Sequence, residues 1–569
     1  MARIAIDPVT RIEGHLRLEV EHAGGVVRDA WSSGTMFRGI ERILVGRDPR
    51  EAWVFAQRAC GVCTHVHAIA SVRAVEDALG VTIPPNARLI RNLLTGTQFV
   101  HDHVIHFYHL HALDWVDVLS ALDASAAATA ALCQRNNPGW PNNTTAYFQG
   151  VKDRLSSFIG SGQLGPFANG YWRHPAYQLP PEANLLAVAH YLEALDWQRN
   201  IIRIHAILGG KNPHPQTYAV GGMSVGFAPN VPTGINTRTL GDLAALAAAA
   251  RDFVDRVLIP DVTLIGSAYK DLWTQVGAGL GNFLAYGDFP MGDDGVASFA
   301  LPRGRVLGRD LAHVLPVDQG LVAETVARSW YRYRGGDQQL KHPYDGETIP
   351  VYKGPKPPYS FIDTPKYSWL KAPRYEGEAY EVGPLARMVV AHAAGKVDVR
   401  AAIDGFLADL GLAPGALFST LGRLAARALE TQVIAARLGG WVAELSANMQ
   451  GGDLRVADTS RWEPTTWPAS AQGWGATEAP RGALGHWVEI RRGRIKNYQM
   501  VVPSTWNGSP RDASGTRGAW EEALVGVPLA DPDRPLEILR TVHSFDPCMG
   551  CSVHVYDPAG GQSVRVDVV

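Results

Sequence analysis

RACGVCTHVH, residues 58–67, and DPCMGCSVH, residues 546–554, each carry a C-x-x-C pair, and they lie near opposite ends of the chain. A loop of this spacing turns tightly enough for both sulfurs to face one ion, and Gly61 and Gly550 supply permissive backbone within the two loops. Together they offer a cage of four thiolates, Cys60, Cys63, Cys548 and Cys551, suited to a soft metal. One cysteine remains, Cys133.

The surrounding composition bounds what such a cage can serve. At 569 residues the chain has roughly four domain-equivalents by length, enough to bury a large core without disulfides. Hydrophobic residues at 46% and charged residues at 19% exclude intrinsic disorder. The balance of 53 Lys+Arg against 55 Asp+Glu argues against a nucleic-acid binder, which needs an excess of positive charge. No run reaches the roughly 18–20 apolar residues of a membrane span. The opening MARIAIDPVTRIEGH has Asp7, Pro8 and Glu13 where a signal peptide needs unbroken apolar sequence, so export would need another carrier.

Helical patterning is strongest over Thr97–Ala128, over Arg238–Leu258 with a stop at Pro260, over Val399–Leu410 with a stop at Gly411, and over Ser419–Leu438 with a stop at Gly439-Gly440. Between Thr274 and Arg374, Gly, Pro, Tyr and Asp separate short apolar runs, which predicts loops and short strands. Alternation over residues 3–7 and His15–Val20 predicts an edge hairpin. With no internal repeat and no long linker, the expectation is one α+β body, predominantly helical, with a central helical bundle and small peripheral sheets.

Several ordinary uses of two C-x-x-C pairs compete. A structural zinc site usually has its halves within tens of residues, whereas 488 residues separate Cys60 from Cys548. A thiol–disulfide redox pair belongs in a short βαβ context, which neither pair has. Disulfides within the pairs would be strained small loops, and nothing else marks a secreted scaffold. Four inert core thiols would have no reason to fall in pairs.

R-x-C-G-x-C-T-x-x-H and D-P-C-x-x-C-x-x-H, in this order and separation, resemble the signature of the large, catalytic subunit of NiFe hydrogenases, most closely the membrane-bound uptake branch. Further blocks resemble the same family: RIEGH at 11–15, FRGIE at 37–41, HFYHLHALD at 106–114, GKNPHP at 210–215, APRG at 479–482 and VPSTWN at 502–507. The resemblance implies a hydrogenase large-subunit fold over residues 1–554. It also implies reversible heterolytic oxidation of H2 to two protons and two electrons.

By that resemblance Cys60, Cys63, Cys548 and Cys551 hold nickel, and Cys63 and Cys551 also bridge to an iron carrying two cyanides and one carbon monoxide. Glu13 is implied as the group that takes the proton from the terminal ligand Cys548; the competing reading is a salt bridge to Arg11 or Arg17. Arg481 is implied as the cation over the metals, with Asp102 and Asp546 orienting it. Pro480 and Ser504 are implied at the diatomic ligands, and His67 beside a thiolate. Glu41, the Met500 carbonyl and His554 are implied as ligands of Mg2+. The five histidines between His101 and His111 lack an H-E-x-x-H pattern and are implied as supporting structure.

Iron–sulfur clusters normally need four cysteines each, and Cys133 alone cannot hold one. Electrons released here therefore require an obligate iron–sulfur small subunit, toward whose nearest cluster His214 is implied to face. A cytochrome b membrane subunit, a maturation endopeptidase and nickel-insertion factors are implied further partners. Export to the periplasmic face of the cell membrane would follow from the small subunit's signal. Residues 555–569 are expected to be a propeptide removed on maturation. Two alternatives stand beside this: a zinc-stabilised interaction module without redox activity, and a scaffold related to the quinone-side subunit of respiratory complex I, which lacks the cysteine pairs.

Overall fold

A computed structural model describes residues 1–552 apart from 163–164, 169, 232, 293–294, 353 and 355–363. Its centre is the helix Thr420–Gln450, packed along the helix Pro85–Ile105. Ser419 caps the former, its hydroxyl accepting from the Gly422 N–H at 2.9 Å. The helix does not stop at Gly439-Gly440. Trp441, Val442 and Leu445 beyond the pair are buried, and that burial outweighs the roughly 1 kcal/mol that each glycine costs a helix interior.

Pro260 is a second overridden stop. The helix Thr237–Phe253 widens into a π turn at Val254–Leu258 and resumes as Ile259–Trp273. Proline then falls in the first turn of the resumed segment, where its missing N–H is tolerated, and the wide turn relieves the ring clash. The predicted helix over Thr97–Ala128 instead begins at Pro85 and ends at Ile105. A π turn at His106–His111 follows, and helix returns at Ala126–Asn136. Val397–Leu410 ends at Gly411 in the left-handed region, as its sequence predicts.

The opening strand Ala2–Ile6 pairs antiparallel with Leu16–Ala23, but a loop over 7–15 intervenes and a third strand, Val26–Gly34, completes the sheet. That loop carries Glu13. Between residues 274 and 374 short strands form as expected, Phe283–Ala285 pairing with Gly304–Val306, while Val322–Thr325 pairs with Ala372–Tyr375, much farther along the chain. A sheet that the sequence does not announce, Ser470–Ala479, Gly482–Arg491 and Arg494–Val501, places Pro480 and Arg481 at a tight turn. It lies flush on the helix Val66–Leu79. A Cβ at Gly475 would sit 1.9 Å from the Ala70 carbonyl oxygen, so only glycine permits this approach. Helical centre and small outer sheets together make the α+β architecture expected from the sequence. No described helix is long and apolar enough to cross a membrane.

Candidate metal centre

The fold closes the two ends of the chain on each other. Cys60 follows the 3-10 turn Gln57–Ala59, and Cys63 lies just ahead of the helix Val66–Leu79. Cys63 N–H donates to Cys60 Sγ at 3.1 Å, the tight turn expected of the loop. Cys548 Sγ stands 3.3 Å from Cys60 Sγ and 3.9 Å from Cys63 Sγ. The three sulfurs lie within 4.8 Å of one another and are buried. Among the described residues no other histidine, cysteine, aspartate or glutamate group has this metal-ligand geometry. The Cys551 side chain, His554 and the tail 555–569 fall outside the described residues.

Arg481 hangs over the sulfurs from its turn. Nη1 donates to Cys63 Sγ at 2.8 Å and faces Asp102 Oδ2 at 3.4 Å, while Nη2 donates to Asp546 Oδ1 at 3.0 Å. Burial works against its charge, but Asp546, Cys63, Cys548 and Asp102 outweigh it and hold the guanidinium well above the usual arginine range. Burial pushes the Asp546 carboxyl up, opposed by Arg481 and Arg427. Asp546 sits at a positive φ of 57°, a cost of order 1–3 kcal/mol that aims its carboxylate at the guanidinium.

Glu13 reaches the Cys548 sulfur. Its backbone bridges Cys548, its carbonyl accepts from the Met549 N–H at 2.8 Å, and its Oε2 lies 3.4 Å from Cys548 Sγ. The same oxygen accepts from the Gly550 N–H. A Cβ at Gly550 would fall 2.3 Å from Oε1, so glycine here makes room for the carboxylate. The salt-bridge alternative is not what the described residues form: Arg11 pairs with Asp114, and Arg17 with Asp7 and Glu19.

Ser504 Oγ accepts from the Cys548 N–H at 3.0 Å. A small cavity opens beside Cys63, lined by Val66, Ala479, Leu484 and Pro503 together with His67, Arg481 and Ser504. Pro480, next to Arg481, gives its carbonyl to Arg387. His67 Nδ1 lies 3.0 Å from His486 Nε2. His214, half-buried at a positive φ of 63°, places Nε2 2.8 Å from the Cys60 carbonyl, so it touches the backbone of the first pair from outside.

Glu41 lies at a separate buried point. Its Oε1 accepts from the Met500 N–H at 2.9 Å, Thr348 donates to Oε2, and Lys371 Nζ is 3.5 Å away. Lys371 also faces Glu324 at 3.3 Å, a carboxyl that burial pushes up to about 7.

The histidines of 101–111 turn away from metal binding. His106 Nε2 meets the His543 carbonyl at 2.7 Å, His109 Nε2 the Tyr191 carbonyl at 3.1 Å, and His103 Nε2 the Glu430 carboxylate at 2.8 Å. Burial lowers His103 and His109 to about 4 and His111 to about 3.

Two residues that sequence reasoning missed hold the site together. Gln98 donates to Asp102 Oδ1 and to the Val62 carbonyl at 3.1 Å, so one amide ties the first cysteine loop to the carboxylate under Arg481. Its spacing, one helical turn before Asp102, was a usable signal. Arg387 spends all five N–H groups: two on Glu430, one on Glu478, one each on the Ala479 and Pro480 carbonyls, at 2.6–2.9 Å. It thereby fixes the turn from which Arg481 hangs, and no local pattern marks it.

Residues 38–554 match the family model of nickel-dependent hydrogenases, and residues 3–30 match a HoxL-like model. The chain is 52% identical over 583 residues to the uptake hydrogenase large subunit of Rhizobium leguminosarum bv. viciae, covering 100% of this chain and 97% of that protein. It is 48% identical over 591 residues to the hydrogenase-1 large chain of Escherichia coli K12, with the same coverage. Its structure is similar to that of the reduced Ni-Fe-Se hydrogenase from D. vulgaris Hildenborough, at a TM-score of 0.75 and 36% identity, covering 97% of this chain and 100% of the other.

Proposed function

The chain belongs to the nickel-dependent hydrogenase family, and from that membership we propose that it is the catalytic large subunit of an uptake hydrogenase whose electrons leave through a partner. It is an oxidoreductase acting on H2, and it pairs with a small subunit. The observation that carries the reading is three buried sulfurs within 4.8 Å of one another, with the Arg481 guanidinium on Cys63 and the Glu13 carboxylate beside Cys548.

The donor set fits the implied centre. Soft thiolates suit nickel, the adjacent arginine offsets their negative charge, and a small cavity adjoins Cys63. Cys60, Cys63, Cys548 and Cys551 would hold the nickel–iron group with its cyanides and carbon monoxide. When bound, that centre supplies heterolytic cleavage of H2 and accepts the two electrons.

The chain's own residues do the rest. Glu13 Oε2, 3.4 Å from Cys548 Sγ, takes a proton from that sulfur and carries it outward. Arg481 holds a fixed positive charge over the pocket, and Asp102 and Asp546 aim it, so no reorganisation is needed during turnover. Ser504 and the Pro480 turn shape the cavity, Ser504 through its bond to the Cys548 N–H. His67, lining the same cavity, tunes the thiolates.

Glu41, the Met500 carbonyl and His554 would hold Mg2+. In its support, the buried Glu41 carboxylate already lies against the Met500 backbone, whose N–H it accepts at 2.9 Å, so two of the three implied ligands meet in the fold. His214 would face the nearest iron–sulfur cluster of the small subunit, which would take the electrons on toward a cytochrome b at the periplasmic face of the membrane. Residues 1–554 form the catalytic body. The tail 555–569 is cut off by an endopeptidase after nickel-insertion factors have loaded the site.

Elemental analysis and infrared spectroscopy of the purified complex test this. One nickel per large subunit, iron in excess of nickel because the small subunit's clusters add to the one iron of the centre, and bands of bound cyanide and carbon monoxide are expected. Zinc alone would replace this function with that of a structural module.

A further inference from the structure

His67 is the first link of a buried chain. Its Nδ1 lies 3.0 Å from His486 Nε2, and His486 Nδ1 lies 2.7 Å from the Tyr498 hydroxyl. All three side chains are fully buried. His67 comes from the helix that follows the first cysteine pair, His486 and Tyr498 from two neighbouring strands of the sheet packed on that helix.

A neutral imidazole carries its proton on one nitrogen, and the hydrogen bond at the other decides which. Burial raises the Tyr498 hydroxyl above the ordinary tyrosine range, so it keeps its proton and has one to donate. The hydroxyl has two hydrogen-bonding neighbours, Ser71 and His486 Nδ1, the latter at 2.7 Å. When Tyr498 gives that proton to His486 Nδ1, His486 carries its own on Nε2 and donates to His67 Nδ1, which leaves the His67 proton on Nε2.

We propose that Tyr498 and His486 are positioning residues that hold His67 as its Nε2–H tautomer, so that His67 offers the thiolate pocket beside Cys63 a donor rather than a lone pair. A lone pair against an anionic sulfur would be repulsive. A donor draws charge from sulfur and tunes what the metals feel, as hydrogen bonds to sulfur do in other metal–thiolate sites. The inference rests on the nickel–iron reading above and deepens it.

The test is the infrared spectrum of the purified two-subunit complex, with nickel and iron contents measured alongside. Tyr498→Phe removes one oxygen and keeps the ring that fills the core. It should leave the metal content unchanged and shift the cyanide and carbon monoxide bands. His486→Phe, which breaks the chain at its middle link, should reproduce that shift. In a His67→Gln background, where the amide supplies its own donor, Tyr498→Phe should no longer move the bands. Bands in Tyr498→Phe and His486→Phe that superimpose on the wild type would overturn the inference, as would an equal shift in both His67 backgrounds. Wild-type complex lacking nickel and these bands would overturn the nickel–iron reading and this inference with it.

Discussion

The Glu13 carboxylate oxygen lies 3.4 Å from the Cys548 sulfur although 535 residues separate the two in sequence. The contact is held from both sides: the Met549 N–H anchors the Glu13 carbonyl, and the Gly550 N–H anchors its carboxylate. A proton on that sulfur therefore has a carboxylate within one short transfer. Glu13→Gln keeps the size and the backbone anchor but cannot accept a proton. Hydrogen uptake should fall by about 10²–10⁴-fold, the usual worth of general acid–base groups, with nickel content retained. Unaltered uptake would remove Glu13 from the proton route.

Gly550 makes the same contact testable without touching the carboxylate. A methyl at this position would overlap Glu13 Oε1, which must swing away. Gly550→Ala should resemble Glu13→Gln in uptake while H/D exchange of the bound centre slows in parallel. Full activity in this variant would show that the close approach is dispensable.

What could be seen in the sequence follows from how each residue is marked. Cys60, Cys63, Cys548, Arg481 and Glu13 sit in short motifs with fixed spacing, and the fold gathers them within hydrogen-bonding reach of one another. Helix caps at Ser419 and Gly411 were equally visible. Gly439-Gly440 and Pro260 misled because local propensity, about 1 kcal/mol for glycine, yields to burial of Trp441 and its neighbours and to a π turn. Arg387 left no mark, since its partners at 430, 478, 479 and 480 meet it only in the folded core.

Arg481 spans Cys63, Asp102 and Asp546 with a planar fork that lysine cannot reproduce. Arg481→Lys retains a positive charge but can satisfy only part of this set. Turnover should fall by about 10²–10³-fold, as when one preorganised donor is lost. The thermal midpoint should drop less than in Arg481→Met, which leaves two buried carboxylates facing each other. Equal turnover in the lysine variant and the wild type would mean that charge alone suffices.

Behind the site, Glu430 gives a stability signature with a definite sign. It is fully buried, accepts two bonds from Arg387 at 2.6 and 2.7 Å, and meets His103 at 2.8 Å. Burial opposes its charge, yet Arg387 outweighs burial and brings it from 4.5 to about 2. A carboxyl lowered in the folded state stabilises fully above its unfolded value. That contribution drains away as the pH falls from about 4.5 toward about 2. Glu430→Gln removes the charge and leaves Arg387 partly unpaired, a cost on the order of 3–5 kcal/mol at neutral pH. The gap in thermal midpoint between wild type and Glu430→Gln should therefore stay constant from neutral to mildly acidic pH, then narrow below about 4.5. A gap that widens on acidification would mean the buried carboxyl is already protonated in the native state, and the Arg387 clamp on the Arg481 turn would have to be neutral on one side.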